Sequence, residues 1–174
     1  MRSRVEREGR LPDYVKEYRD ELQSVGPDEF VRRYPYPVLI VAGLAGTLKN
    51  PAKTGTVVAE SSELLLVGTI IGRVFSLVKA RDSAPGPLFI GRTSDNDVGI
   101  PEYSISKKHC YLTFVGMEIH VTDCGSTNGT LVEGIPLEPR KPRVLKGGET
   151  LTLGRFALVL CRPHGFVSYL ESNR

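Results

Sequence analysis

Three short clusters of polar residues stand out in the sequence because each borders a strand-like apolar run. They are Gly91-Arg92, residues 104–109 (SISKKH) and residues 123–130 (DCGSTNGT). Polar groups on turns at strand ends are the usual place for a binding site on a rigid β scaffold. We therefore expect the chemistry of the protein to lie in these three clusters.

The residue types in the clusters suit the binding of a small anion. Arg92 supplies a planar guanidinium that can pair with phosphate or carboxylate. Ser106 and Thr127 supply hydroxyl donors, and either Lys107 or Lys108 supplies a point charge. The residues alone do not decide between the two lysines.

Three further residues in the clusters suit a peptide lying beside that anion. Asn128 offers both an amide donor and a carbonyl acceptor, which can pair with a peptide backbone. Gly91 and Gly129 allow a positive φ or a close approach of the backbone to a ligand. The clusters together predict a small anion pocket next to an amide that reads a peptide.

Enzymatic interpretations of the same residues are weaker. A hydrolase built on Ser106, His109 and Asp123 is disfavoured because no nucleophile elbow surrounds the serine. A phosphatase would need a cysteine nucleophile in a phosphate loop, and Cys110 and Cys124 lack that setting. The cysteines also show no CxxC spacing, which argues against a thiolate zinc site. We expect no enzymatic activity, no metal and no organic cofactor.

Charge and hydropathy limit the partners and the location. The 23 basic and 20 acidic residues give a formal net charge of only +3, which argues against coating nucleic acid or an anionic membrane. The N-terminal MRSRVEREGR does not resemble a secretory signal. The apolar stretches 38–48 and 64–72 fall short of the roughly 20 residues that a spanning helix needs. We expect a cytoplasmic protein with reduced cysteines, no membrane span and no nucleic-acid partner.

The elements that must position the clusters are mostly short strands. One amphipathic helix is predicted near residues 12–23, with a further helical turn after Gly26-Pro27 and a strand at 38–41. Segments 56–58 and 64–67 are possible strands. From Arg73 onward, alternating apolar and polar residues predict strands about every ten residues, including a hairpin over 110–122. This pattern indicates a β-sandwich or barrel.

In their order and separation, the clusters resemble the motifs of the forkhead-associated (FHA) domain family. The matching residues are Gly91-Arg92, Ser106-x-x-His109 and the run from Ser126 to Thr130. Supporting matches are Asn96-Asp97-Val98-x-Ile100 and the Gly148-Glu149 turn, so that the resemblance covers roughly residues 74–162. It implies a mainly β chain: an FHA-like antiparallel β-sandwich, with an N-terminal helical and short-strand extension. The domain division expected is an extension of unknown role at 1–72, the FHA-like sandwich at 73–165, and a tail or short helix at 166–174.

The resemblance also implies roles for the site residues. Arg92 and Ser106 hold a phosphate, Lys107 contacts it, Thr127 lies at the pocket edge and Asn128 bonds to the peptide main chain.

Structural support of the site is implied for three residues. His109 braces the loops from behind, and Gly91 and Gly129 serve the backbone geometry.

The function that the resemblance implies is recognition of phosphothreonine in a partner protein, or in the Ser/Thr kinase that phosphorylates it. The alternative left open is a phosphate-independent interaction or assembly scaffold on the same fold. Glu133-Gly134 departs from the family's usual Asn-Gly, and an acidic residue there could alter the peptides accepted. If Thr54 or Thr56 were phosphorylated, the phosphothreonine could also occupy the pocket of the same chain.

Overall fold

The computed structural model describes residues 13–45, 68–79 and 85–172. Within these residues the chain forms three helices of seven or more residues and eleven strands, and residues 68–70 are also helical. The helices are α1 (Val15–Val25), α2 (Pro27–Arg33) and α3 (Pro163–Ser172). The strands are β1 (Val38–Leu44), β2 (Val74–Ser76), β3 (Leu88–Gly91), β4 (Val98–Gly99), β5 (Cys110–Val115), β6 (Glu118–Asp123), β7 (Thr130–Val132), β8 (Ile135–Pro136), β9 (Arg143–Leu145), β10 (Thr150–Leu153) and β11 (Phe156–Cys161).

The strands form two sheets. One has six strands in the order β2-β1-β11-β10-β7-β8, and the other has five in the order β4-β3-β5-β6-β9. The strand pairs are antiparallel, except that β3 and β4 run parallel. The predicted mainly β sandwich is therefore confirmed, and the predicted hairpin is β5 and β6.

The alternation in the sequence explains the core between the sheets. Leu88 and Ile90 of β3 and Leu112 of β5 point inward and are buried, whereas Tyr111 and Thr113 lie on the outer face and are only partly buried. The six-stranded sheet contributes Leu151, Leu153, Leu158 and Leu160 to the same apolar cluster. Because successive side chains of a strand point to opposite faces, the period of two assigns each residue to one side.

Strand β1 requires a correction to the predicted boundary near residue 72. It lies inside the six-stranded sheet between β2 and β11, so part of the presumed extension belongs to the sandwich. Leu39 and Val41 face the core between the sheets, whereas Val38 and Ile40 face the helices. Burial on both faces explains why this strand is a continuous apolar run rather than an alternating one.

The three helices cover the outer face of the six-stranded sheet, and we call them the helical layer. The predicted amphipathic stripe is present in α1, which buries Tyr18 and Leu22, although the helix begins at Val15 rather than near residue 12. Tyr18, Phe30 of α2 and Phe166 of α3 pack as rings with centroids 5.1–6.3 Å apart. The predicted helix start at residue 12, the possible strands at 56–58 and 64–67, and Thr54 and Thr56 lie outside the described residues.

One predicted influence on peptide choice is wrong. Strand β7 leads away from the third polar cluster, so the Glu133-Gly134 turn lies at the opposite end of the sandwich from the clusters. Both turn residues have positive φ, 51° and 75°, as a tight two-residue hairpin requires. The Glu133 carboxylate accepts a hydrogen bond from the Thr150 backbone N–H, which makes this residue a part of the sheet structure.

Candidate functional site

The three polar clusters meet at one end of the sandwich through direct hydrogen bonds. The Arg92 backbone N–H donates to the Ser106 carbonyl at 3.0 Å. The Thr127 backbone N–H donates to Ser106 Oγ at 3.0 Å, and the two hydroxyl oxygens are 3.4 Å apart. The middle cluster thus bridges the other two, and Ser106 makes a hydrogen bond to each of them.

The cations of the site differ in their surroundings. Arg92 is half-buried, and its guanidinium donates to the Tyr103 carbonyl at 3.4 Å, a long bond to a neutral acceptor. Lys107 and Lys108 are both exposed. The Lys108 ammonium lies 5.0 Å from the centre of the Phe89 ring, on the outer face of the five-stranded sheet. This cation–π contact favours Lys107 as the lysine that serves the clusters.

His109 holds two of the loops together from the interior. It is fully buried; Nδ1 accepts a hydrogen bond from the Ser106 N–H at 3.0 Å, and Nε2 lies 3.1 Å from the Gly129 carbonyl. Because Nδ1 must accept, the proton of the neutral ring is on Nε2 and is donated to Gly129. Burial lowers the pKa of His109 in spite of that hydrogen bond, so the neutral form is retained at pH 7.

Gly91 is required by packing rather than by an unusual φ. A Cβ at this position would lie 2.1 Å from the Lys107 carbonyl oxygen. The Asn96 side-chain amide donates to the same carbonyl at 2.7 Å and so ties the first cluster to the second. Gly129, in contrast, has a φ of 78°, which an L side chain rarely adopts.

Asn128 is buried, with only 3% of its surface exposed. Its side-chain Nδ2 donates to the Ser104 carbonyl at 2.9 Å and so connects the third cluster to the second. Contact between Asn128 and a peptide main chain therefore stays a prediction, made for a side chain whose orientation is already fixed.

Asp123 caps the third cluster. Its two carboxylate oxygens accept four hydrogen bonds: from the N–H groups of Gly125 and Ser126 and from the hydroxyls of Ser126 and Thr130, at 2.6–2.9 Å. Burial opposes ionisation, but these bonds outweigh it, so that the pKa of Asp123 lies below its usual value. The Asp123 carboxylate is thus engaged within its own loop and the His109 ring with Ser106 N–H and Gly129, an arrangement unlike a catalytic triad.

A buried polar group behind the clusters was missed at the level of sequence. Glu102 forms an ion pair with Arg155, whose Nη2 lies 2.9 Å from Glu102 Oε1. The other oxygen, Oε2, accepts hydrogen bonds from the backbone N–H and the hydroxyl of Ser104. No local pattern joins these residues, because Arg155 lies in the β10–β11 turn, far along the chain. The one available signal was the polar Glu102 immediately before the second cluster.

Two features are absent from the described part of the chain. Within residues 13–45, 68–79 and 85–172, no three His, Cys, Asp or Glu side chains are grouped closely enough to hold a metal ion. Over the same ranges, no helix is both long and apolar enough to cross a membrane.

Comparison with known proteins gives matches of three kinds. The family model described as "FHA domain" matches residues 88–154. An oxoglutarate dehydrogenase inhibitor from Corynebacterium efficiens is 31% identical over 119 residues, which are 67% of this chain and 78% of the relative. The glycogen accumulation regulator GarA from Mycobacterium tuberculosis is 34% identical over 128 residues, which are 68% of this chain and 74% of the relative. Among solved structures, the FHA domain of the CT664 protein from Chlamydia trachomatis is similar with a TM-score of 0.47 and 20% identity, over 72% of this chain and 96% of that one.

Proposed function

The chain belongs to the forkhead-associated domain family, and from that premise we propose that it binds a protein phosphorylated on threonine. That partner is a substrate of a Ser/Thr kinase, or the kinase itself. The relatives bear the names of an inhibitor and a regulator, which favours a binding role over catalysis. We accordingly propose a non-enzymatic module that acts in the cytoplasm without a cofactor.

One observation carries this proposal: Arg92, Ser106 and Thr127 converge at one end of the sandwich. Ser106 is bonded to both of the other residues at 3.0 Å. A phosphothreonine carries about −1.5 to −2 charges and three strong acceptor oxygens at neutral pH. The phosphate oxygens can accept charge-assisted hydrogen bonds from a guanidinium, two hydroxyls and a lysine ammonium.

Each site residue has a proposed role in this complex. Arg92 and Ser106 hold the phosphate, Lys107 adds charge from the exposed loop, and Thr127 closes the pocket edge. Asn128 pairs with the peptide main chain from a position that its bond to Ser104 keeps in one orientation.

The residues His109, Gly91 and Gly129 support the site. His109 joins the backbone of Ser106 to that of Gly129, and Gly91 allows the first and second clusters to touch.

The test is a calorimetric titration with the tightest peptide selected from a degenerate phosphothreonine library. We expect a Kd of about 10⁻⁷–10⁻⁵ M, because a flexible peptide must be ordered on a small exposed site. The phosphoserine form should bind more weakly, and the unphosphorylated form should not bind measurably. Arg92→Ala should remove most of the affinity.

The matched control is Arg162→Ala. Arg162 donates to the Met117 carbonyl at the end of the sandwich away from the clusters, so its loss should leave the Kd unchanged. Equal binding of phosphorylated and unphosphorylated peptide, or full affinity in Arg92→Ala, would instead support a phosphate-independent scaffold.

A further inference from the structure

We propose that the buried Glu102–Arg155 ion pair positions the peptide-binding side of the site, chiefly by fixing the amide of Asn128. This inference rests on the proposed function and assigns a role to residues that the motifs do not include. Neither residue is proposed to touch the ligand, so both are positioning residues.

The pair itself is buried. Arg155 Nη2 lies 2.9 Å from Glu102 Oε1, and the two side chains are 13% and 0% exposed. Removing one member of such a pair leaves an uncompensated charge away from water, which is strongly unfavourable. The arginine is also placed by its neighbours, since its guanidinium stacks 4.6 Å from the centre of the Tyr103 ring.

A short chain of contacts leads from the pair to Asn128. Glu102 Oε2 accepts a hydrogen bond from the Ser104 backbone N–H at 2.8 Å and another from the Ser104 hydroxyl. The Ser104 carbonyl then accepts Asn128 Nδ2 at 2.9 Å. Because Ser104 is bonded on both sides, a shift of Glu102 must move the acceptor that orients Asn128.

The β10–β11 turn closes this arrangement from the other side. The Arg155 backbone N–H donates to Ser104 Oγ at 3.1 Å. A Cβ on Gly154 would lie 2.3 Å from Ser104 Oγ, so the turn is in close contact with the loop that contains Ser104. Tyr103, whose ring stacks on Arg155, supplies the carbonyl that Arg92 bonds at 3.4 Å. The turn thus lies against residues 103–104, whose carbonyls accept hydrogen bonds from Arg92 and from Asn128.

The benefit to binding is preorganisation. A side chain whose rotamer is already fixed loses little conformational freedom when the ligand binds, which strengthens binding without adding a contact. We therefore expect changes at Arg155 to weaken phosphopeptide binding even while the protein remains folded.

The experiment compares Arg155→Met with the control Arg162→Met in the same titration, at a temperature at which both variants are folded. Arg155→Met should raise the Kd about tenfold, whereas Arg162→Met should stay within about twofold of wild type. Wild-type affinity in a folded Arg155→Met protein would overturn the inference.

A double-mutant cycle separates positioning from general destabilisation. If Arg155 acts through Asn128, then adding Arg155→Met to Asn128→Ala should weaken binding by less than about twofold. Full additivity of the two changes would show that Arg155 does not act through Asn128 and would refute the proposal.

Arg155→Lys provides the test if Arg155→Met fails to fold, because it keeps the charge but lacks the planar stacking group. In the unbound protein, the NMR resonance of the Asn128 side-chain amide should shift in Arg155→Lys and not in Arg162→Lys. An unchanged Asn128 resonance would refute the positioning role. A wild-type protein that binds no phosphothreonine peptide would refute the proposed function, whereas the Asn128 resonance still decides whether Arg155 orients that amide.

Discussion

At the scale of single residues, the site is built on buried side chains that hydrogen-bond to other parts of the protein. His109 and Asn128 each connect two of the polar clusters, Asp123 holds its own loop together, and all three are buried. Such groups hold the polar loops in one arrangement because a buried donor or acceptor without its partner is costly. The exposed hydroxyls and cations are then presented from a rigid base.

The capping role of Asp123 predicts a dependence of stability on acid. Its folded-state pKa is lowered, so the unfolded chain takes up a proton first as the pH falls. The contribution of Asp123 is therefore complete above about pH 4, the unfolded value, and is lost as the pH falls through the lower folded pKa. Asp123→Asn should cost about 1–3 kcal/mol at pH 7.

Urea denaturation from pH 7 to pH 3 measures this effect. The free energy of unfolding of wild type should fall more steeply below pH 4 than that of Asp123→Asn. Asp20→Asn is the control, since Asp20 is an exposed carboxylate on α1 and its loss should leave the profile unchanged. Parallel profiles for wild type and Asp123→Asn would contradict the capping role.

The contacts made by single residues were unevenly predictable from the sequence. The meeting of Arg92, Ser106 and Thr127 could be predicted because they lie in short motifs at strand ends. The Glu102–Arg155 pair was not, because nothing in the neighbourhood of either residue indicates a partner so distant along the chain. The cap formed by Asp123 was also missed, although Asp, Ser and Thr in one turn are typical of such local bonding.

At the scale of elements, the helical layer is joined to the sandwich but not to the site. Phe166 of α3 is almost fully buried, and its ring packs 5.1 Å from that of Tyr18 and 5.6 Å from that of Phe30. The layer lies on the outer face of the six-stranded sheet, whereas the polar clusters lie at one end of the sandwich. The two can therefore be perturbed separately.

Phe166→Ala should lower the free energy of unfolding by about 3–5 kcal/mol, since it leaves a cavity among aromatic rings. Phe114→Ala removes the same atoms from a position that is 46% exposed, and should change stability by only about 0.5 kcal/mol. Chemical denaturation measures both. The Kd for phosphopeptide should equal that of wild type in both variants, and a raised Kd in folded Phe166→Ala would show that the layer is coupled to the site.

Elements with a clear hydrophobic periodicity were predicted well, but the strands with which they pair were predicted less well. The alternation over 110–123 gives β5 and β6, and the apolar stripe gives α1. The run of apolar residues in β1 indicated a strand but not its position, because pairing with β11 depends on residues far away. That missing partner is why the boundary was expected near residue 72.

At the scale of the whole molecule, β1 makes the helical layer and the sandwich interdependent. Its alternate side chains enter both apolar clusters, so neither cluster is complete without it. We expect the protein to unfold in one cooperative transition, seen at the same denaturant concentration by far-ultraviolet circular dichroism and by tyrosine fluorescence. A chain restricted to residues 73–174 should fail to fold, because β11 loses its central neighbour.

Two outcomes would contradict the expected cooperative unfolding. Two separate transitions, or a stable folded protein made of residues 73–174, would restore the division near residue 72. The calorimetric and van't Hoff enthalpies of the full chain provide an independent criterion, since they agree only for a two-state transition.

The pairing of β1 with β11 also sets the order of events during protein synthesis. Val38 pairs with Cys161, so the middle of the six-stranded sheet cannot close until residue 161 has left the ribosome. Until then the edge of β1 that pairs with β11 has no partner strand and remains open to aggregation. Contacts so distant in sequence also slow folding, because a long loop must close before they form. Strand β1, which contributes to both apolar clusters of the folded protein, is thus a strand that must wait for a partner made much later in synthesis.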